Sequence, residues 1–231
     1  LKKSILQEAV QGKLVPQDPS DEPAEALLER IRAEKQRLIK EGKIKKDKHE
    51  SVIFRRDNSH YEKRGSEEFC IDEELPFDLP DTWSWARLGE LCSVVTGRLD
   101  ANAQTLDGEY AFFTCGREVF RTDTYAFDCD AILLGGNNAS GDYKMHRYSG
   151  KFNAYQRVYV ISGREPDFLN YLYYVITFWL GHLKKNSQGT TTRFIKLGQV
   201  TGMLVPVPPC AEQKRITQTM QLLLSECDRL Q

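Results

Sequence analysis

Two glycine-bearing polar segments hold the side chains best suited to chemistry. Gly135-Gly-Asn-Asn-Ala-Ser-Gly141 runs on to Tyr143 and Lys144, and Gly189-Thr-Thr-Thr-Arg193 offers hydroxyls and a cation. Amide side chains match adenine edges in a duplex groove, and arginine matches guanine. Arg98 follows a Thr-Gly pair, Arg117 follows Gly116, and Arg147 and Lys151 lie just beyond the first segment. Lys184 and Lys185 end an apolar stretch, where they suit phosphate or the negative end of a helix dipole. The candidate contacts are therefore Arg98, Arg117, Asn137, Asn138, Ser140, Tyr143, Lys144, Arg147, Lys151, Lys184, Lys185, Thr190, Thr191 and Arg193. Each alone reads more readily as solvated loop. Together they form a recurring pattern of polar loops between short strands, which is a surface for recognising double-stranded nucleic acid.

The search for catalytic groups gives no candidate. Pro208-Pro209 is preceded by Val and followed by Cys, so it is not the Asn/Asp-Pro-Pro-aromatic loop that amine methylation uses. No glycine fingerprint joins a strand to a helix, and the Gly135–Gly141 run lacks the Gly-Lys-Ser/Thr ending of a phosphate loop. Asp81 and Asp167 each follow a proline but have no Glu-x-Lys partner for a metal-dependent nuclease. His49, His60, His146 and His182 are scattered. The six cysteines form no Cys-x-x-Cys pair and read as reduced thiols rather than zinc ligands or disulfides. No catalytic residue, metal or cofactor of the chain's own is expected.

The elements that would position the loops are legible from periodicity. Residues 1–12 read as a helix ending near Gly12. A second helix runs from Ala24 to Lys40, with Ser20 or Asp21 as its cap and Leu27, Leu28, Ile31 and Leu38 as its stripe. Residues 42–82 read as a charged linker, and Ser66–Thr82 carries seven carboxylates and no Lys or Arg. Residues 83–209 read as a mixed α and β domain with strands near 92–96, 110–114, 131–134, 157–161 and 203–207 and one helix over 166–185. From 210 a helix begins in which Ile216, Met220, Leu223, Cys227 and Leu230 are spaced four, three, four and three apart. That is a coiled-coil seam. The expected class is α+β, with helical regions 1–41 and 210–231 forming an antiparallel coiled coil. Its interface residues would be Ile5, Ala9, Leu28, Ile31, Ile216, Met220, Leu223, Cys227 and Leu230. The absent initiator Met and the seam still running at Gln231 point to connectors within something larger. Net charge is -1, so contact with a polyanion must come from a local patch. The most apolar run, 168–183, is too short to span a bilayer, and a cytoplasmic protein is expected.

Four stretches resemble the specificity subunit of type I restriction–modification systems. Leu1–Val15 resembles the end of that family's connecting helix. Leu79-Pro-Asp-Thr-Trp-Ser-Trp-Ala-Arg-Leu-Gly89 resembles the opening of its target recognition domain. Gly150–Val160 resembles an internal stretch of it, and Pro206-Val-Pro-Pro-Cys-Ala-Glu-Gln-Lys-Arg-Ile216 resembles its exit into the next helix. The resemblance implies a non-catalytic subunit with two recognition domains, each reading part of a split DNA site. Its helices would set the spacing and dock methyltransferase subunits carrying S-adenosylmethionine, and a restriction subunit would complete the complex. One recognition domain is present here, which implies either a piece of a longer subunit or a half that pairs with a second copy. Two other readings remain: the recognition end of a fused restriction–methyltransferase enzyme, and a scaffold that binds no DNA.

Overall fold

A computed structural model describes residues 1–45, 50–163 and 166–230. The chain forms two compact units, Leu1–Leu91 with Met203–Gln231, and Cys92–Gly202. His49 lies outside the described residues. The fold is α+β.

The first unit begins with α1 (Lys2–Val10), which buries Ile5, Ala9 and Val10. Gly12 then turns the chain at φ +70°, and a β-carbon there would sit 2.5 Å from Pro80 Cγ. Helix α2 (Ala24–Lys40) starts straight after Pro23. Neither expected cap serves: no side chain caps this end, and Asp21 instead takes Arg215 at 2.6 Å. Leu28 and Ile31, expected on a coiled-coil seam, line a small cavity with Ile53 and Trp85.

The expected linker is structured. Strands β1 (Ser51–Arg56), β2 (Ser59–Arg64) and β3 (Glu67–Cys70) form a three-stranded antiparallel sheet. Asp57 and Asn58, at φ 51° and 66°, make the two-residue turn between β1 and β2, the left-handed pair that tight hairpins favour. The stretch reads as linker because its few apolar residues cannot fill a core alone. A buried ion network takes part of that role. Glu62 is fully buried and accepts from Arg64 Nη2 at 2.9 Å and Arg87 Nη2 at 2.6 Å, and Arg87 also reaches Glu74 at 2.7 Å. Burial pushes the Glu62 carboxyl up, but the Arg87 and Arg64 bonds outweigh it and hold the group at about 2.

Next come β4 (Ser84–Arg87) and α3 (Leu88–Leu91). The chain then passes through the second unit: β5 (Ser93–Thr96), β6 (Tyr110–Phe113), β7 (Val119–Thr122), β8 (Phe127–Gly135), β9 (Asn137–Asn138), β10 (Met145–Ala154), β11 (Val158–Ser162), α4 (Pro166–Lys185), β12 (Arg193–Phe194) and α5 (Leu197–Thr201). Strand β13 (Leu204–Val207) returns to the first unit and pairs antiparallel with β4. Residues 83–91 and 203–209, read as ends of the middle domain, therefore belong with the helical unit. Helix α6 (Cys210–Arg229) follows Pro209 and packs against α1, with Ile216, Met220 and Cys227 buried, Leu223 half-buried and Leu230 exposed. Lys2 and Asp228 form an ion pair at one end of that packing.

Strand order in the second unit is β5-β11-β8-β10-β6-β7. Alternating residues of four strands, among them Ala111, Phe113, Leu133, Phe152, Ala154 and Val160, share one core cluster. Leu169, Leu172 and Ile176 of α4 are fully buried, and α4 packs on β8. Among the described residues no helix is long and apolar enough to cross a membrane.

Candidate nucleic-acid interface

The sheet of the second unit curls, and the curl brings its polar loops to one end. β10 lies between β6 and β8 in the ladder, yet a β-carbon on Gly135, at the end of β8, would meet Cys115 Cα at 3.0 Å, just past β6. His146 Nε2 lies 3.0 Å from the Gly116 carbonyl. The loop carrying Arg117 thus sits beside the ends of β8 and β10. Gly136 takes the chain past Arg157, whose carbonyl accepts from Gly136 N at 2.7 Å, and a β-carbon at Gly136 would clash with that carbonyl at 2.5 Å.

The two segments singled out in the sequence pair directly. β9 and β12 are antiparallel, Asn138 facing Arg193 and Asn137 facing Phe194. Gln188 and Phe194 exchange backbone hydrogen bonds at 2.9 and 2.8 Å, which closes a hairpin with Gly189 at φ +92° and exposed Thr190 and Thr191 at its tip. Arg193 Nη1 donates to the Lys184 carbonyl at 3.4 Å, joining the end of α4 to the hairpin. Arg117, Lys184 and Lys185 are exposed. Asn138 Oδ1 accepts from Ser140 N at 2.9 Å, Ser140 Oγ at 2.8 Å and Asp142 N at 3.2 Å. It therefore shapes the loop, and its oxygen is committed before any base approaches. Lys144 pairs with Asp142. The Lys144 hydrogen bond, with Lys184 and Arg117 adding charge, holds the Asp142 carboxyl below the usual range.

Three sequence candidates are placed otherwise. Tyr143 is 3% exposed and packs inward, because the turn through Gly141 at φ +68° points it beneath the loop. Arg147 donates to Asn170 Oδ1, Ala131 O and Tyr148 O at 3.1–3.3 Å and lies 3.7 Å from Asp130, so it ties β10 to β8 and α4. Lys151 pairs in register with Asp128 at the opposite end of β8, its ammonium 4.7 Å from the Tyr125 ring. Arg98 is exposed beyond β5, where its amide donates to Ala154 O at 3.2 Å. Exposed Arg157 and the carboxylate of Asp142 were not anticipated. Arg157 sits in a Tyr-Gln-Arg turn ahead of β11, a polar turn signal that does identify it. Among the described residues no group of His, Cys, Asp and Glu could hold a metal ion.

An α+β unit with a curled sheet, polar hairpins at one end and helices carried by a separate frame defines a class. The chain belongs to the type I restriction modification DNA specificity domain family, whose sequence model matches residues 80–231. The chain is 40% identical over 152 residues to the Escherichia coli type I restriction enzyme EcoDI specificity subunit, covering 65% of this chain and 33% of that one. It is 33% identical to the Escherichia coli EcoAI specificity subunit, over 100% of this chain and 40% of that protein. The chain thus spans well under half the length of these curated relatives. Its fold is similar to that of the HsdS subunit from Thermoanaerobacter tengcongensis, with a TM-score of 0.52 at 19% identity over 90% of this chain and 50% of that one. It is also similar to the S subunit from M. genitalium, with a TM-score of 0.53 at 19% identity over 67% of this chain and 42% of that one.

Proposed function

We propose that the second unit reads one part of a split double-stranded DNA site, and that the helices of the first unit set its position. The observation that carries this reading is the pairing of Asn137–Asn138 with Arg193–Phe194, which joins two glycine-bearing polar segments beside Arg117 and the lysines ending α4. Amide and guanidinium groups at such a rim suit base edges, while exposed lysines suit phosphates. Asn137, Arg117, Arg157 and Arg193 are the candidate readers; Lys144, Lys184, Lys185 and the Thr190–Thr191 hydroxyls are the candidate backbone contacts.

Helices α1 and α6 would extend as an antiparallel coiled coil, along which methyltransferase subunits dock. Those subunits would supply S-adenosylmethionine and the methyl transfer, and a restriction subunit would join the larger complex. The chain itself would remain non-catalytic. The second half of the site would be read by a second recognition domain, in a longer subunit or in another copy of this chain. Sequence selection from a randomised duplex library, with the methyltransferase subunit present, tests the reading. The expected result is enrichment of one short motif that is lost in Arg117→Ala. Recovery of an unbiased pool would overturn it.

A further inference from the structure

Within the cationic rim the carboxylate of Asp142 is out of place. Asp142 lies two residues before Lys144 and pairs with it, with its side chain 62% exposed. The preceding residue, Gly141, is packed so closely that a β-carbon there would sit 3.1 Å from Arg193 Cδ and 3.2 Å from Lys184 Cγ. Asn138 Oδ1 fixes the Asp142 amide at 3.2 Å, so the carboxylate is held in this position by the loop. Its charge also interacts with Lys184 and Arg117. A negative group among cations that would meet phosphate opposes sequence-independent attraction, because every neutralised cation releases fewer counterions from the duplex. Discrimination between partners often rests on such a repulsive element.

We propose that Asp142 is a built-in competitor for phosphate, which occupies Lys144 and offsets Lys184 and Arg117 so that duplexes of the wrong sequence bind weakly. This rests on the DNA-reading role given above for the same rim. A duplex carrying the right bases would compensate through base contacts; one without them would have only the weakened backbone attraction. Asp142 then favours selectivity at the expense of raw affinity.

Fluorescence anisotropy of the full chain with a labelled random-sequence duplex, between about 50 and 200 mM salt, tests this. Asp142→Asn and Asp142→Ser should each bind the random duplex roughly three- to tenfold tighter at the low-salt end, with the salt slope steeper by about one. Asp142→Glu should behave as wild type. The residue is exposed and either neutral variant keeps the amide that Asn138 holds, so a merely structural role would weaken binding or lower the melting temperature instead. Wild type binding the random duplex with both neutral variants unchanged or weaker overturns the inference and leaves the DNA-reading role standing. Wild type failing to bind any duplex overturns that role and the inference with it.

Discussion

Replacing Glu62 with Gln should unsettle the first unit in a way that depends on pH. The side chain is fully buried and accepts from Arg64 and Arg87 at 2.9 and 2.6 Å. Holding its carboxyl at about 2 rather than the ordinary 4.5 corresponds to roughly 3 kcal/mol of stability at neutral pH. Removing one partner of a buried ion pair typically costs about 3–5 kcal/mol. Arg87 keeps Glu74, and Arg64 is half-exposed and can rehydrate, so a loss of about 2–3 kcal/mol is expected at pH 7. The sign follows from the depressed pKa. The native carboxyl stabilises the fold above its unfolded value, and that contribution disappears as pH falls from 4.5 to about 2. The gap between wild type and Glu62→Gln should therefore be full at neutral pH and close at the acid end of that window. Hydrogen exchange of the β1–β3 amides in urea, at neutral and acid pH, reads this within the first unit alone. Equal protection of the two proteins at pH 7, or an undiminished gap at the acid end, would refute the reasoning.

Met220→Ala removes a fully buried side chain of α6 and should destabilise the first unit by about 2–5 kcal/mol in urea unfolding; a loss under about 1 kcal/mol would mean that α1 and α6 do not bury it. Leu223→Asp, at a half-buried position of the same seam, should weaken association with the methyltransferase subunit or a second copy in sedimentation while the monomer stays folded. Gly97→Ala would place a β-carbon 2.1 Å from the Ala154 carbonyl and should cost about 2–4 kcal/mol, read as lost exchange protection in β5 and β11; wild-type protection there would contradict the close approach. Arg117→Ala should narrow the affinity ratio between target and random duplex, whereas Lys185→Ala should weaken both equally and reduce the salt slope by about one. Competition binding at several salt concentrations separates the two, and identical behaviour would show that neither reads bases.

Legibility followed the physical source of each element. The 3.6-residue stripe of Leu169, Leu172 and Ile176 marked α4, and the bounds expected for α2 and α4 are those observed. The sheet around 51–70 was hidden because Glu62 occupies a buried position where a strand pattern calls for an apolar residue. Its one local sign was the Asp57-Asn58 turn. Strand β10 was hidden by Ser149, Gly150 and Lys151 in its middle, which read as a loop. In the site, the loops were legible by composition, but their partners were not. Nothing local tells that Asn138 pairs with Arg193, since 54 residues intervene and it is α4, packed on β8, that brings the Arg193 hairpin back. Nor does a Tyr between Asp and Lys announce that its ring turns inward; the left-handed Gly141 decides that.

Three of the four stretches that carry the family resemblance lie in the first unit, whereas the residues that would read DNA lie in the second, with Arg157 of the Gly150–Val160 stretch belonging to both sets. Trp83 of the Leu79–Gly89 opening donates to Glu212 of the Pro206–Ile216 exit at 2.9 Å, and Gln17 donates to the same carboxylate at 2.6 Å. Burial pushes the Glu212 carboxyl up, and the Trp83 and Gln17 bonds pull against it. Gln213 holds the Pro208 carbonyl at 2.9 Å, Ala24 N donates to Thr82 O at 2.9 Å, and Arg215 holds Asp21. The bonds of Trp83, Gln17 and Arg215 join sequence-distant segments of the first unit through side chains, and each needs a particular donor or acceptor at its position. The rim of the second unit has fewer such requirements: Asn138 and Gly141 shape its loop and Tyr143 packs beneath it, whereas Arg117, Arg157, Thr190 and Thr191 are exposed. If the second unit reads DNA as proposed, exposed rim residues such as Arg117 and Arg157 could be exchanged without breaking the polar bonds of the first unit, so the three stretches that mark the first unit say nothing of which bases the rim would choose.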